Sequence, residues 1–313
     1  MSVVRVLFLG TPEFAIPALD ALLKDEHFEV VGVVTQPDRP AGRQRSLTAS
    51  PVKQFAQSHG LKVISPETVK DATVLAEIKN FGADAAVVVA FGQILPQDFL
   101  DLFTFGAVNI HSSILPRWRG AAPMQRALMA GDTEGGVTLQ KIVLALDAGD
   151  ILGLRKVAID DAMNAVELHD RLKLLACDLI KIEFMDYIRG HLVGLPQDSN
   201  GITYAKKIDK AESEIRWNRS AQDIHNQVRG LALGPQAWTH RAAKKLKILR
   251  TKVAGTKSTG VPGAVVAASA GSFSVQCGQG VLEILEVQPE SKAAMKVDAF
   301  LRGYPTQKGE QLG

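Results

Sequence analysis

Residues Ala85-Ala86-Val87-Val88-Val89-Ala90-Phe91 form an unbroken apolar run, with no polar side chain to face water on either side. A strand sends alternate side chains to opposite faces, so this run reads as a strand covered on both. A parallel sheet flanked by helices supplies that cover. The neighbouring sequence has the matching rhythm. Residues 3–9, 28–35, 62–64 and 107–111 read as further strands, and residues 51–59 and 74–81 as helices between them. Thr11-Pro12-Glu13 opens another helix, with a hydroxyl to cap it, proline at its first position and an early acid. The alternation predicts an α/β fold: a doubly wound, mostly parallel, Rossmann-like sheet.

Residues 136–143 and 152–159 continue as strands. A long helix spans 164–189, with Asn164 and Glu167 at capping-box spacing. Leu168, Leu172, Leu175, Leu179 and Ile182 form its apolar stripe, and Gly190 ends it. The stretch 195–210, with Pro196, Asp198, Ser199, Asn200 and Gly201, reads as a linker. Beyond a helix at 220–231, the segments 237–241, 246–253, 264–268, 273–277 and 281–287 are strand-like, and glycines separate the later ones. This is the pattern of a small β-barrel of OB-like type. Two domains are therefore predicted, 1–200 and 208–313.

The net charge of +3 is unevenly shared. Residues 1–205 carry 19 Lys+Arg against 24 Asp+Glu, whereas residues 206–313 carry 17 against 9. A basic second half suits a polyanionic partner. No apolar run approaches the ~20 residues that span a bilayer, and residues 3–9 read as a first strand, not a signal peptide. Cys177 and Cys277 are too far apart in sequence for a ligand pair and suit a reducing cytoplasm. No His, Cys, Asp or Glu group has metal-ligand spacing, so no metal is predicted. Gly10-Thr11-Pro12 is not a dinucleotide fingerprint, and there is no phosphate-binding P-loop.

The candidate chemistry lies in Asn109-Ile110-His111-Ser112-Ser113 and in Leu146-Asp147-Ala148-Gly149-Asp150. Strand periodicity puts Asn109 and His111 on one face near a strand end, where open α/β sheets bind ligands. A carboxamide can donate to an oxygen that gains charge, and an imidazole can carry a proton near neutral pH. Asp147, in a tight turn, can orient that imidazole. Together these are the parts of an acyl- or one-carbon-transfer site. Phe91-Gly92 leaves the buried strand through a glycine, which lets backbone approach a flat ligand.

Asn109-x-His111 with Ser113-Ile114-Leu115-Pro116 and a downstream Asp147 resembles the 10-formyltetrahydrofolate-dependent formyltransferases. Three longer stretches are similar to the branch of that family acting on methionyl-tRNA: Thr35-Gln36-Pro37-Asp38-Arg39-Pro40-Ala41-Gly42-Arg43, Ser50-Pro51-Val52-Lys53, and Leu115-Pro116-Arg117-Trp118-Arg119-Gly120-Ala121-Ala122-Pro123. So is the stretch 285–295, with Gln288-Pro289 and Lys292. The resemblance runs over about residues 4–303.

It implies transfer of a formyl group from 10-formyltetrahydrofolate to the α-amino group of methionyl-initiator tRNA, for translation initiation. Asn109, His111 and Asp147 would be the catalytic set. Phe91, Gly92, Ile94, Leu95, Ser113, Ile114, Leu115 and Pro116 would line the folate site. Arg39, Arg43 and Arg45, in a polar loop over 36–48, would meet the tRNA acceptor end. Lys206, Lys207 and Lys210 would add contacts from the second domain, as would Arg241, Lys244 and Lys245. No membrane association and no obligate protein partner are implied.

Where the family often has glycine after the Arg43 position, Gln44 stands here. The apolar run Ile142-Val143-Leu144-Ala145-Leu146 replaces a common Met-Asp-x-Gly pattern. The rival readings are a sugar-nucleotide formyltransferase, another formyltetrahydrofolate-dependent enzyme such as the hydrolase, and a tRNA-binding module without catalysis. The arginine-bearing loop and basic second domain oppose the first. The start of the chain at the first strand opposes the hydrolase. Asn109, His111 and Asp147 together oppose the last.

Overall fold

The computed structural model describes residues 3–41, 46–255, 260–269 and 271–313. It divides into two compact units: Met1–Gly120 with Gly135–Val157 and His169–Tyr204, and Ala121–Glu134 with Ala158–Leu168 and Ala205–Gly313.

The first unit is built on a seven-stranded sheet. Its spatial order is Ile151–Ala158, Glu134–Lys141, Ala107–His111, Ala85–Val89, Val4–Gly10, Phe28–Val34, Val63–Ile64. Val4–Gly10 lies inside the sheet and pairs in parallel with both Phe28–Val34 and Ala85–Val89. The chain therefore winds outward one way to Ile64, then crosses over and winds the other way from Ala85. The reversal opens a crevice between the carboxyl ends of Val4–Gly10 and Ala85–Val89, where such sheets bind ligands. The apolar run behaves as its composition requires: Ala85 to Val89 are all buried. Leu7, Leu9, Ala86 and Val88 pack with Ile78, Phe81, Phe99 and Phe103 on one face. Val6, Phe8, Val87 and Val89 are equally buried on the other. Gly10 ends the first strand because nothing larger fits. A β-carbon there would lie 2.9 Å from the Ala15 side chain and 3.1 Å from the Val89 carbonyl.

Three local expectations need correction. Thr11 does not cap the first helix. Its Oγ1 donates across the crevice to the Phe91 carbonyl at 3.0 Å, and a 3-10 turn, Glu13–Ala15, leads into the helix Ile16–Lys24. The segment 36–48 is not wholly loop, since Arg39–Ala41 pairs antiparallel with Ser46–Thr48. The long helix carries its expected cap: Asn164 Oδ1 accepts from the Val166 and Glu167 amides, and Glu167 Oε2 accepts from the Asn164 amide. A π turn at Ile180–Phe184 then separates helix Ala165–Leu179 from Met185–Ile188. The wider turn shifts the buried stripe by a residue. Ile182, assigned to the stripe, is 52% exposed, and Phe184 is buried in stacking contact with Phe28.

The second unit is an antiparallel sheet in the order Trp238–Arg241, Lys244–Gly255, Val281–Pro289, Ser272–Gln276, Val265–Ser269, with Met295–Lys296 paired to Val281–Pro289. Helix Ala221–Gly230, capped by Ser220, packs Ile224 and Val228 into a core with Trp217, Leu246, Ile248, Phe273, Leu282 and Phe300. Register shifts along Lys244–Gly255 re-phase the alternation, so that Leu246, Ile248 and Thr251 all point inward.

Thr251 serves a buried histidine. His225 Nδ1 lies 2.9 Å from Thr251 Oγ1, and Nε2 donates to the Asp161 carbonyl at 2.7 Å. Burial lowers the pKa of His225 below its ordinary value. The unfolded chain thus binds a proton that the folded one resists. The stabilising contribution is complete above the unfolded pKa of about 6.5. It is lost as pH falls from there towards the lowered folded value. Denaturant titrations between pH 7.5 and 5 should show stability falling with pH, and His225→Asn should flatten that fall. An unchanged slope in the variant would assign the acid sensitivity to other groups.

Candidate active site

Strand Ala107–His111 is the point where the parallel sheet turns antiparallel. Its neighbour Glu134–Lys141 runs against it, with Asn109 opposite Gln140 and His111 opposite Thr138. Period-two alternation puts Asn109 and His111 on one face and sends Ile110, 3% exposed, into the opposite layer. Residues 142–149 leave the end of Glu134–Lys141 and return to Ile151–Ala158, and the Lys141 amide donates to the Asp150 carbonyl at 2.9 Å. Gly149 permits this closure. A β-carbon at Gly149 would stand 1.9 Å from the Lys141 carbonyl oxygen. Asp147 then takes a left-handed conformation, φ +47°, which aspartate tolerates better than most residues.

That turn swings the Asp147 carboxylate over the Asn109–His111 face. Oδ2 accepts from the Gly120 amide at 2.8 Å. Oδ1 accepts from Gln140 Nε2 at 3.0 Å and from Asn109 Nδ2 at 3.5 Å. His111 Nδ1 lies 3.7 Å from the same Oδ1. On the other side of the ring, Nε2 donates to the Trp118 carbonyl at 2.9 Å. A carbonyl can only accept, so Nε2 carries the proton in the neutral ring. The three residues singled out from sequence therefore meet around one carboxylate oxygen.

The segment after the strand is tied down residue by residue. Ser113 Oγ donates to the Arg117 carbonyl at 2.6 Å. Thr138 Oγ1 donates to the Ser113 carbonyl at 2.7 Å and accepts from the Leu115 amide at 3.3 Å. Ser113 and Leu115 are consequently buried, and their side chains shape the turn from beneath. Ile114 and Pro116 are partly exposed. At the switch-point crevice, Phe91 and Leu95 are buried and Ile94 is 72% exposed. Gly92 has φ +88° and no neighbour closer than 3.7 Å to where a β-carbon would stand, which leaves its backbone open to a flat ligand. The Phe91 carbonyl accepts from both Thr11 Oγ1 and Gln36 Nε2.

The residues that brace this arrangement have no signature in the sequence alone. Gln140 is a cross-strand partner, visible only once the register is known. Gln197 falls in the stretch read as linker, yet residues 195–204 are bonded into the first unit. Leu195 pairs with Ile151, and Thr203 Oγ1 accepts from the Trp118 amide at 2.9 Å. Gln197 Nε2 reaches the carbonyls of Asp147 and Gly149, both at 2.8 Å.

The cationic candidates belong to both units. Arg39 is 63% exposed and pairs with Glu67 at 3.2 Å. Arg43 and Arg45 lie outside the described residues. Lys206, Lys207 and Lys210 are exposed. The carbonyls of Lys206 and Lys207 accept from Arg126, which also forks onto Glu212 and holds that carboxyl below its usual range. Lys244 and Lys245 project from the hairpin after Trp238–Arg241, with Lys245 Nζ 4.1 Å from the Trp238 ring centre. Arg241 is different. It is engaged by Glu310 at 2.7 Å and is only 15% exposed, so it braces its own unit. Among the described residues, no three or more His, Cys, Asp or Glu side chains are grouped to hold a metal ion.

Residues 4–180 match the formyl transferase family, and residues 207–305 match the formyl transferase C-terminal domain. The chain is 56% identical, over the full length of both, to the methionyl-tRNA formyltransferase of Bdellovibrio bacteriovorus. It is 44% identical to that of Nitrobacter hamburgensis, over 96% of each chain. Among solved structures, it resembles WlaRD, a sugar 3N-formyl transferase, with TM-score 0.67 and 20% identity over 94% of this chain and 100% of that one. The Aquifex aeolicus HypX structure with tetrahydrofolic acid has TM-score 0.61 and 15% identity, over 100% of this chain and 51% of that one. The structural neighbours share the fold, whereas the full-length sequence relatives define the membership: the chain belongs to the methionyl-tRNA formyltransferase family.

Proposed function

We propose that the chain moves the formyl group of 10-formyltetrahydrofolate onto the α-amino group of methionine esterified to initiator tRNA. The supporting observation is the meeting of Asn109, His111 and Asp147 around one carboxylate oxygen, at the end of a strand in a chain of this family. In the transfer, a bond forms between the amine nitrogen and the formyl carbon, and the bond from that carbon to the folate nitrogen breaks. One proton passes from the amine to the departing nitrogen. A free α-amino group has a pKa of roughly 7.7–8, so the unprotonated nucleophile is accessible near neutral pH.

Each residue has a distinct task. Asn109 Nδ2 donates to the formyl oxygen as it gains charge, a role in which loss of one donor typically costs about 10²–10³ in rate. His111 relays the proton through Nε2: in this step the neutral ring holds its own hydrogen on Nδ1, facing Asp147, so that Nε2 is free to accept from the amine and then to give to the folate nitrogen. For this, Nε2 exchanges the Trp118 carbonyl for the substrate nitrogen. Asp147 orients the ring and stabilises it when protonated. The open backbone at Gly92 and the exposed Ile94 form the platform for the folate ring, with Phe91, Leu95 and Ser113 to Pro116 beneath and beside it. No resident metal is needed for any step.

The tRNA is held by phosphate contacts. Arg39, Arg43 and Arg45 take the acceptor end; Lys206, Lys207, Lys210, Lys244 and Lys245 take backbone phosphates. Residues 1–200 accordingly act as the catalytic domain and 208–313 as the tRNA-binding domain. Among the described residues no helix is long and apolar enough to cross a membrane, and the working compartment is the cytoplasm, where charged initiator tRNA resides.

Asn109→Ala should lower turnover by about 10²–10³ while leaving tRNA affinity within a few-fold. A binding defect as large as the rate defect would remove Asn109 from the reacting oxygen. Arg43→Ala should weaken tRNA use and make the dependence of log affinity on log salt shallower by about one. An unaltered slope would take Arg43 off the phosphate path.

A further inference from the structure

Asp147 is held by more than its neighbours in the turn. A chain of side chains runs from Arg119 through Gln197 and Gln140 to the carboxylate. Arg119 Nε and Nη2 donate to Gln197 Oε1 at 3.1 and 2.7 Å. Gln197 Nε2 donates to the Asp147 and Gly149 carbonyls at 2.8 Å and lies 3.2 Å from Gln140 Oε1. Gln140 Nε2 donates to Asp147 Oδ1 at 3.0 Å. Arg119 is 8% exposed and Gln140 is 1% exposed, so water does not substitute freely for these bonds.

The direction of the chain is not a matter of choice. A carboxamide can be turned end for end, exchanging donor and acceptor. Here both ends forbid it. A guanidinium has five N–H donors and no acceptor, so Gln197 must present its oxygen to Arg119. The two backbone carbonyls only accept, so the Gln197 amide nitrogen must face them and Gln140 Oε1. Three acceptors then share two hydrogens, which makes one of these bonds bifurcated. With its oxygen taken by Gln197, Gln140 can offer only its NH₂ to Asp147, which as a carboxylate only accepts. Read from the cation or from the carboxylate, the polarity is the same.

We propose that Arg119, Gln197 and Gln140 are positioning residues for the transfer reaction. In this role the fixed guanidinium sets the polarity of two amides, and they pin both the carboxylate and the backbone of Asp147 in its left-handed turn. The inference rests on the formyl-transfer reading above. It adds that Asp147 does not find its place from the turn alone. A displacement on the order of 1 Å can cost about 10²-fold in rate, and a left-handed non-glycine residue is the kind of strained position that its surroundings must hold.

The test uses the full-length enzyme and a formylation assay with methionyl-initiator tRNA. Gln140→Met and Gln197→Met keep approximate shape and remove the donors. Each should lower kcat by about tenfold to a hundredfold, with KM for tRNA and for the folate donor within about threefold. In an Asp147→Asn background, the same two changes should lower kcat by less than about twofold, because they act through the carboxylate. Equal losses in both backgrounds, or losses of kcat and KM in parallel, would overturn the proposal.

A second measurement does not depend on turnover. With ¹⁵N-glutamine labelling, the Gln140 side-chain amide protons should exchange slowly with solvent, and Arg119→Met should speed that exchange. Gln140 protons unaffected by Arg119→Met would overturn the directed chain. Absence of formylation by the unaltered protein would instead count against the functional reading, and the exchange measurement would still judge the chain.

Discussion

The hydrogen bond from the Gly120 amide to Asp147 Oδ2, together with that from Gln140 to Oδ1, is the constraint on which the candidate active site depends. A carboxylate in a left-handed turn has no regular ladder to hold it, and the turn exists only because Gly149 can lie against the Lys141 carbonyl. Once the carboxylate is placed, its Oδ1 stands 3.7 Å from His111 Nδ1, while the Trp118 carbonyl holds the ring through Nε2. Asn109 keeps its carboxamide at the rim, with a bond at the long limit that leaves its donor available.

The sheet explains why these residues can meet. A parallel edge would offer the Asn109 strand slanted partners and a long crossover. The antiparallel neighbour Glu134–Lys141 instead puts Gln140 directly opposite Asn109 and brings residues 142–149 back over the same face. The crevice for a flat ligand comes from a different feature, the reversal of winding between Val4–Gly10 and Ala85–Val89. The proposed side-chain chemistry thus belongs to the parallel-to-antiparallel junction, and the proposed ligand space to the switch point.

Much of this was legible in the chain. The all-apolar 85–91 run demanded a sheet covered on both faces, and the Asn109 and His111 spacing put both on one side of a strand. Asn164 and Glu167 announced their helix by a capping box that forms as read. Other features were hidden for physical reasons. The π turn at Ile180–Phe184 has no signature in apolar spacing, so the spacing points to Ile182, which is exposed, and passes over Phe184, which is buried. Thr11 looks like a cap because hydroxyls before Pro-Glu usually are, but a carbonyl across the crevice competes for it. Gln140, Gln197 and Arg119 could not be paired without the sheet register and the path of residues 195–204. A polar stretch bearing Pro and Gly reads as linker until its hydrogen bonds are seen.

The Asn109, His111 and Asp147 geometry supports the proposed use of the formyl donor, and family membership with a basic second unit supports the proposed acceptor. One comparison tests the central claim: formyl transfer from 10-formyltetrahydrofolate by the purified chain to methionyl-initiator tRNA, to free methionine and to an amino-sugar nucleotide. The account predicts rapid transfer to the tRNA-borne amine and little to the other two. Transfer to the amino-sugar nucleotide with none to methionyl-tRNA would contradict it.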